Sequence, residues 1–366
     1  MKVLMIGTVK TETTGGMATH TQELVENLRS LDFEVIYYKT NPYKNYFKML
    51  DFLVKFFLRT IVLFFKIIKD SRKVDIVHVQ SSGPMGGFLP AITASVLKII
   101  LKYNLVVTFH YSKTEYFLKK YDKIFSFVLE KCERFIVVSY KQRDLINSLI
   151  GMDFEKKIEV IPNGFNPKKM KVIDKEEARD KLNINIDDFV LVNVGLLLEK
   201  KGQKYLVKSM HHLVNKKNYV NFKCFIIGQG PLFKKLNGQI KRYNLENNVT
   251  LTGFLSLEKL NLFLNSADIF VLPSLKEGNP IVMFEALSLG LPFVGTSVGG
   301  IPEIISSEEF GFVIDPKNPQ QLSKKIIEAN IKEWDYRKIR EYGKTFTWNN
   351  IAKETIKLYK NIVNYK

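Results

Sequence analysis

The chain has 366 residues, 46% hydrophobic and 25% charged, an ordinary globular composition on a length that exceeds one comfortable core and points to two domains. Lys and Arg number 55 against 37 Asp and Glu, and the net charge of +18 favours phosphate-rich partners, although no basic zipper, aromatic RNA-binding signature or zinc finger accompanies it, which argues against specific nucleic acid. The two cysteines, Cys132 and Cys224, lie far apart without His or Cys at metal-ligand spacing, which excludes a disulfide framework and a zinc ribbon and fits a reducing compartment.

In chain order, Lys2–Gly7 reads as a first buried strand. It has no long apolar core or small-residue cleavage site, so a signal peptide is not expected. Gly15 and Gly16 follow and open a helix over Met17–Leu31. Glycines let backbone approach a phosphate closely, and a helix N-terminus adds its dipole. No GxGxxG pattern is present, which argues against a dinucleotide cofactor. Further strands are expected at Phe33–Tyr38, Val74–Gln80, Leu105–Thr108, Arg134–Ser139 and Ile158–Ile161. Helices are expected at Gly87–Leu101, Tyr116–Cys132 and Tyr140–Leu149. Such alternation implies a parallel sheet covered on both faces. His110 ends the run VVTFH, at the carboxyl end of a strand, where ligands of open α/β sheets bind. His78, within IVHVQ, reads as strand packing first and acceptor contact second, and His20, His211 and His212 read as helix-surface residues.

Residues 44–73 stand out. At about 100° per residue, Lys44, Lys48, Asp51, Lys55, Arg59, Lys66, Lys69 and Lys73 fall in one narrow arc, and nearly everything else is apolar. The charges leave no uninterrupted apolar span near the ~20 residues of a membrane crossing. The pattern predicts one helix over about Asn45–Lys69. It would lie in a membrane interface with aromatics down and lysines toward lipid phosphates, or be buried against other core elements or a second copy.

Pro162-Asn163-Gly164 is a turn, and the Lys-rich stretch Asn166–Glu177 lacks apolar periodicity. The expected domains are therefore 1–170 and 171–346, with 347–366 as a crossover helix. The second series places strands near Phe189–Val194, Asn221–Ile227, Val249–Leu251, Ile269–Leu272 and Phe293–Gly295. Its helices fall at Gln203–Lys216, Leu232–Tyr243 and Leu257–Asn265. A last helix, Trp348–Asn364, is expected to pack back on the first domain.

The most informative segment is Pro273–Glu285, PSLKEGNPIVMFE. Glu277 sits in a loop after a strand, and Glu285 lies in a helix that begins near Ile281. Between them Gly278 and Asn279 offer backbone N–H groups and Pro280 can start the helix, a ready anion site. Downstream stands ALSLGLPFVGTSVGGIPEII. Upstream and between stand IPNGFNP at Ile161–Pro167, KKG at Lys200–Gly202, IIGQGPL at Ile226–Leu232 and VTLTGFLS at Val249–Ser256.

Together these motifs resemble family 4 retaining glycosyltransferases, which have the GT-B fold: α/β, two facing Rossmann-like domains, with the donor in the cleft between them. The resemblance implies that Glu285 binds ribose hydroxyls, that Glu277 binds donor-sugar hydroxyls, and that Lys201 contacts the donor diphosphate. It places His110 beside the donor sugar and phosphate. Gly15, Gly16, Gly195, Gly228, Gly278, Asn279, Pro280 and Ile281 line the donor site in the same reading. The family often has Arg directly after the glycine matching Gly195; this chain has Leu196, and Lys200 is the nearest substitute. No Asp-x-Asp motif or protein nucleophile is legible, so no metal and no cofactor beyond the nucleotide-sugar substrate is expected. Retention would follow a front-face route.

The expected function is transfer of a hexose from a UDP- or GDP-sugar to a cell-surface glycan or lipid-linked acceptor. The expected location is cytoplasmic, peripheral at the inner face of the membrane, with residues 44–73 toward anionic lipid. An inverting enzyme of the same fold, and a basic membrane- or RNA-binding module with a degenerate nucleotide pocket, are the competing readings. Leu196 is the feature that favours the last.

Overall fold

A computed structural model describes residues 1–8, 16–41 and 48–364, the side chains of 48–50 aside. Gly15, Lys44, Asn45 and Phe47 lie outside the described residues. The chain divides into two compact units, Met1–Gly164 with Trp348–Lys366, and Phe165–Thr347. The division falls before the expected residue 170 because Phe165 and Met170 are buried in the core of the second unit.

The first unit runs β1 (Lys2–Gly7), α1 (Gly16–Ser30), β2 (Glu34–Lys39), α2 (Lys48–Arg59), α3 (Ile61–Asp70) and β3 (Ile76–Ser81). It continues with α4 (Met85–Leu101), β4 (Leu105–Phe109), α5 (Thr114–Lys131), β5 (Arg134–Val137), α6 (Tyr140–Ile150) and β6 (Ile158–Val160). The second unit opens with α7 (Lys175–Leu182), β7 (Phe189–Val194), α8 (Gln203–His211), β8 (Phe222–Ile227), α9 (Phe233–Arg242) and β9 (Val249–Gly253). Then come α10 (Leu257–Ser266), β10 (Ile269–Leu272), α11 (Ile281–Ser288), β11 (Phe293–Thr296), α12 (Ile301–Ile304), β12 (Gly311–Ile314), α13 (Pro319–Ile331) and α14 (Tyr336–Lys344). Helix α15 (Trp348–Asn364) returns to the first unit, where it lies against α1. Polar caps start several helices. Ser139 accepts the Gln142 N–H ahead of α6, and Asp174 accepts those of Glu176 and Glu177 ahead of α7.

Both sheets have six strands, and every pairing is parallel. The first has the order β2-β1-β3-β4-β5-β6, so chain direction across the sheet reverses between β1 and β3. The second has the order β12-β11-β10-β7-β8-β9, which reverses between β7 and β10. In open sheets of this kind the switch point leaves a crevice at the carboxyl ends of the strands.

Alternation along the strands sorts the first unit into two layers. Leu4, Ile6, Val77, Val79, Leu105, Val107 and Phe109 face one way. Phe109 is embedded there among Phe88, Phe117, Phe125 and Phe135, with ring centroids 5.3–6.0 Å away. His78, Gln80 and Thr108 fall on the opposite face, toward α1 and α15. The aromatic cluster therefore fixes the strand end from which His110 departs.

The helix expected over Asn45–Lys69 is two helices. The chain breaks at Thr60 (φ −123°, ψ −82°) between α2 and α3. The middle of the charged arc is engaged with the protein, while Lys69 and Lys73 at its end are exposed. Arg59 donates to the carbonyls of Thr40 and Gly86, at 3.3 and 2.9 Å, and Leu63 and Ile67 on the same face are fully buried. Lys55 pairs with Asp51, and Lys66 with the buried Asp70. The reason is local: carbonyls at the end of β2 and the start of α4 need donors, and the polar arc supplies them. Among the described residues, no helix is long and apolar enough to cross a membrane.

Candidate functional site

In the second unit, the loops after β7, β8 and β10 meet at the switch point. Their close approach depends on two glycines. A Cβ on Gly202 (φ +69°) would lie 2.0 Å from the carbonyl oxygen of Pro273, and one on Gly228 (φ +145°) would lie 2.0 Å from that of Gly195. The loop after β10 is stitched to the loop after β7 by the N–H groups of Leu275 and Lys276, which donate to the Lys200 carbonyl at 2.7 and 3.2 Å. This backbone contact brings together side chains distant in sequence. Lys201 Nζ donates to Glu277 Oε1 at 2.7 Å, and Ser274 Oγ donates to the same oxygen at 2.6 Å. The carboxylate is 9% exposed and the lysine 17%, so the pair is shielded yet within reach of a ligand.

Gly278, Asn279 and Pro280 lead directly into α11, whose first residue is Ile281 and whose second turn carries Glu285. Gly278 is clamped by the Gly300 N–H, which donates to its carbonyl at 2.7 Å. The helix thus presents its N-terminal end next along the chain from the Lys201–Glu277 pair, its Met283 N–H donated to the Pro280 carbonyl at 3.1 Å, with a second, half-buried carboxylate on the helix itself. Gly195 and Gly228 sit across the same group of loops. Leu196 is exposed, and Lys200 has an exposed side chain while its carbonyl is tied up as described.

The first unit gathers a second constellation. His110 Nε2–H donates to Gln80 Oε1 at 2.7 Å. The Gln80 amide nitrogen lies 3.2 Å from His78 Nε2 and can only donate, so that imidazole nitrogen accepts. Thr108 Oγ1 approaches the same nitrogen at 2.7 Å. The His78 ring proton therefore resides on Nδ1 and is donated to the Tyr359 hydroxyl. The His20 ring meets His110 edge-on at 4.5 Å and Trp348 at 4.9 Å, and its Nδ1 bonds Asn163 Oδ1 at 2.8 Å. His20 is thus buried, not a surface residue as the helical pattern suggests. Trp348 of α15 covers that side of α1. His211 and His212 are half-buried, and His211 stacks on Tyr243.

Burial sets the protonation of this group. It lowers His20 to about 4 and His78 to about 3, and holds His110 well below 6.5, with the neighbouring imidazoles adding to the effect on His78 and His110. All three are neutral near pH 7. His110 can exchange hydrogen bonds with a ligand but offers it no positive charge. The cation held at the other constellation is Lys201.

Gly16 begins α1, and among the described residues nothing lies within 4 Å of a Cβ added there. Sequence reading missed Ser274, Gln80, Asn163 and Tyr359. Ser274 and Gln80 carried a signal: one stands three residues before Glu277, the other two residues along a strand from His78, hence on its face. Asn163 and Tyr359 carried none. Among the described residues, no three His, Cys, Asp or Glu side chains gather to hold a metal ion.

Comparison with known proteins matches both halves of the chain. The model for "Glycosyl transferases group 1" covers residues 174–346, and that for "Glycosyltransferase Family 4" covers residues 14–169. An uncharacterized glycosyltransferase of Methanocaldococcus jannaschii, MJ1178, is 27% identical over 99% of both chains. A second from that organism, MJ1607, is 30% identical over 63% of this chain and 60% of its own length. The UDP-Gal:alpha-D-GlcNAc-diphosphoundecaprenol alpha-1,3-galactosyltransferase of Escherichia coli is 28% identical over 80% of this chain and 78% of that protein. Among solved structures, sucrose-phosphate synthase from Thermosynechococcus elongatus superposes with a TM-score of 0.80 at 20% identity, covering 100% of both chains. HepE from Anabaena, in complex with UDP-glucose, gives 0.72 at 18%, covering 99% of this chain and 100% of that one. With two parallel α/β units in this strand order and both halves matched in sequence, the chain belongs to the family 4 glycosyltransferases of GT-B type.

Proposed function

We propose that the chain transfers a hexose from a nucleotide-sugar, UDP- or GDP-linked, to a cell-surface glycan or lipid-linked acceptor, with retention at the anomeric carbon and without a metal or other cofactor. The observation that carries this reading is the Lys201–Glu277 pair at the N-terminus of α11. An incoming diphosphate would take Lys201 and the helix N–H groups, releasing Glu277 to accept hydrogen bonds from sugar hydroxyls. Glu285 would accept from the ribose diol. These carboxylates are acceptor-only groups suited to vicinal hydroxyls.

As the anomeric C–O bond breaks, its electron pair goes to the departing phosphate, and Lys201 with the helix terminus stabilises that charge. The acceptor oxygen bonds to the anomeric carbon on the face being vacated, and its proton passes to a phosphate oxygen. His110, neutral, hydrogen-bonds the donor. A UDP-hexose is favoured because the similar galactosyltransferase is named for UDP-Gal and the similar HepE was solved with UDP-glucose. The galactosyltransferase's diphosphoundecaprenol acceptor likewise favours a lipid-linked acceptor and work at a membrane surface.

The test is turnover of a panel of UDP-, GDP- and ADP-sugars, with the anomeric configuration of the product read by NMR. Inverted product would overturn retention. No turnover of any nucleotide-sugar, with vesicle or RNA binding intact, would instead favour the binding module that Leu196 suggests.

A further inference from the structure

The outward side of α2, α3 and α4 is an apolar face with no covering element among the described residues. Phe52 is 66% exposed, Phe65 64% and Ile100 75%, and Phe57, Ile61 and Ile99 are exposed between them. An open groove of about 430 Å³ runs between α3 and α4, lined by Ile61, Phe64, Phe65, Ile92 and Val96 with Thr60 and Thr93. Soluble surfaces rarely keep contiguous apolar patches of this kind without a partner.

Charge selects the partner. α3 leads into β3 and α4 into the adjacent parallel β4, so both helices end on the same side of the sheet. There Lys69, Arg72, Lys73 and Lys102 are exposed, with no ion-pair partner among the described residues. The only acids on the three helices are Asp51 and Asp70, both paired within their own helix. The unpaired charge on these helices and their ends is therefore predominantly positive, with Asp75, just beyond Lys73, accepting the Lys2 backbone N–H. A second copy docking the same face would add the same excess of cations, whereas anionic lipid supplies phosphates beside hydrocarbon.

We infer that this face is a membrane-docking surface: the aromatics of α2 and α3 with Ile99 and Ile100 of α4 enter the headgroup–acyl boundary, and the Lys69–Arg72–Lys73–Lys102 cluster holds anionic headgroups. The sequence pointed to Lys55, Arg59, Lys66 and Lys69 as the lipid-facing cations, in an arc that also holds Lys73. Arg59 is hydrogen-bonded inward and Lys55 and Lys66 pair with Asp51 and Asp70, whereas Lys69 stays exposed and is joined at the helix ends by Arg72, Lys73 and Lys102. The inference stands on surface chemistry and is independent of the transfer reading.

The experiment is flotation of the full chain with vesicles of phosphatidylcholine alone and of phosphatidylcholine with phosphatidylglycerol, at low and high salt. Wild type should float with the anionic vesicles and be released by salt. Each juxtamembrane cation is worth roughly fivefold in partitioning, so K69E/R72E/K73E/K102E should lower binding at least a hundredfold. F52S/F65S/I100S should also abolish it, while hydrolysis of a soluble nucleotide-sugar is unchanged in both. Because all seven positions are exposed, thermal unfolding should match wild type. Phe65→Trp, a milder change, should give a blue-shifted emission on anionic vesicles only. Wild type left unbound by both vesicles, or F65W emission unmoved, overturns the inference. A dimer that F52S/F65S/I100S dissociates, without lipid binding, would assign the face to a second copy instead.

Discussion

The His78 imidazole on β3 and the Tyr359 hydroxyl on α15 lie 2.5 Å apart, both fully buried. They join the last helix of the chain to the central sheet of the first unit across 281 residues. The same histidine, through Gln80, reaches His110. A helix that completes the first unit is thus linked, by three hydrogen bonds, to the side chain at the end of β4.

Tyr359→Phe removes the acceptor of the His78 Nδ1–H and leaves that donor buried. The cost should be about 1–3 kcal/mol, confined to the first unit. Thermal unfolding should show it, while calorimetry with free nucleoside diphosphate should not change. A variant as stable as wild type would mean that water enters or that the tautomer adapts.

Gln80 acts on His110 through one hydrogen bond, which fixes the ring and leaves Nδ1 as the acceptor. Gln80→Leu should lower kcat by roughly tenfold, the worth of such a bond, with nucleoside diphosphate affinity unchanged. Added to His110→Ala it should have little further effect on kcat, because both act at one ring. Additive losses would show that Gln80 serves the core and not His110.

Removing the Glu277 carboxylate has two opposed consequences. Glu277→Ala should sharply reduce turnover by deleting the sugar contact, yet it frees Lys201 from its 2.7 Å partner. Affinity for nucleoside diphosphate should therefore hold or rise, while Lys201→Ala and Glu285→Ala weaken it. Equal losses of nucleotide affinity in the two glutamate variants would sink the separate roles proposed here.

Acid should destabilise the first unit. The folded-state values of His20 and His78 are lowered from 6.5 to about 4 and about 3 by burial, so between those values and 6.5 the unfolded chain binds more protons. Stability is then lost as pH falls below 6.5, by about 1.4 kcal/mol per unit for each histidine. Thermal midpoints from pH 7 to 5 should drop, and His78→Gln should flatten the slope. A midpoint independent of pH in this window would contradict neutral burial.

Transfer should persist in excess EDTA, since the proposed charge stabilisation comes from Lys201 and backbone N–H groups. Loss of activity restored by magnesium or manganese would show that a metal shares the leaving group.

The second-unit candidate site was legible because it is nearly contiguous: Glu277, Gly278, Pro280 and Glu285 occupy one loop and the helix it starts, so spacing alone aligns them. The alternating strands were legible for a related reason, since a buried parallel strand must be an apolar run wherever it occurs. The histidine constellation was not. His20, His78, His110, Asn163 and Tyr359 lie on five separate segments, and their bonds exist only because the sheet and α15 bury them together. A lone histidine in a helical pattern says nothing of what will cover it. The orientation of α2 and α3 was equally beyond the sequence. A helix apolar around most of its circumference has no intrinsic inward face, and the charged arc could have met water, lipid or protein. The choice fell to the Thr40 and Gly86 carbonyls, which left Arg59 hydrogen-bonded inside and the phenylalanines outside.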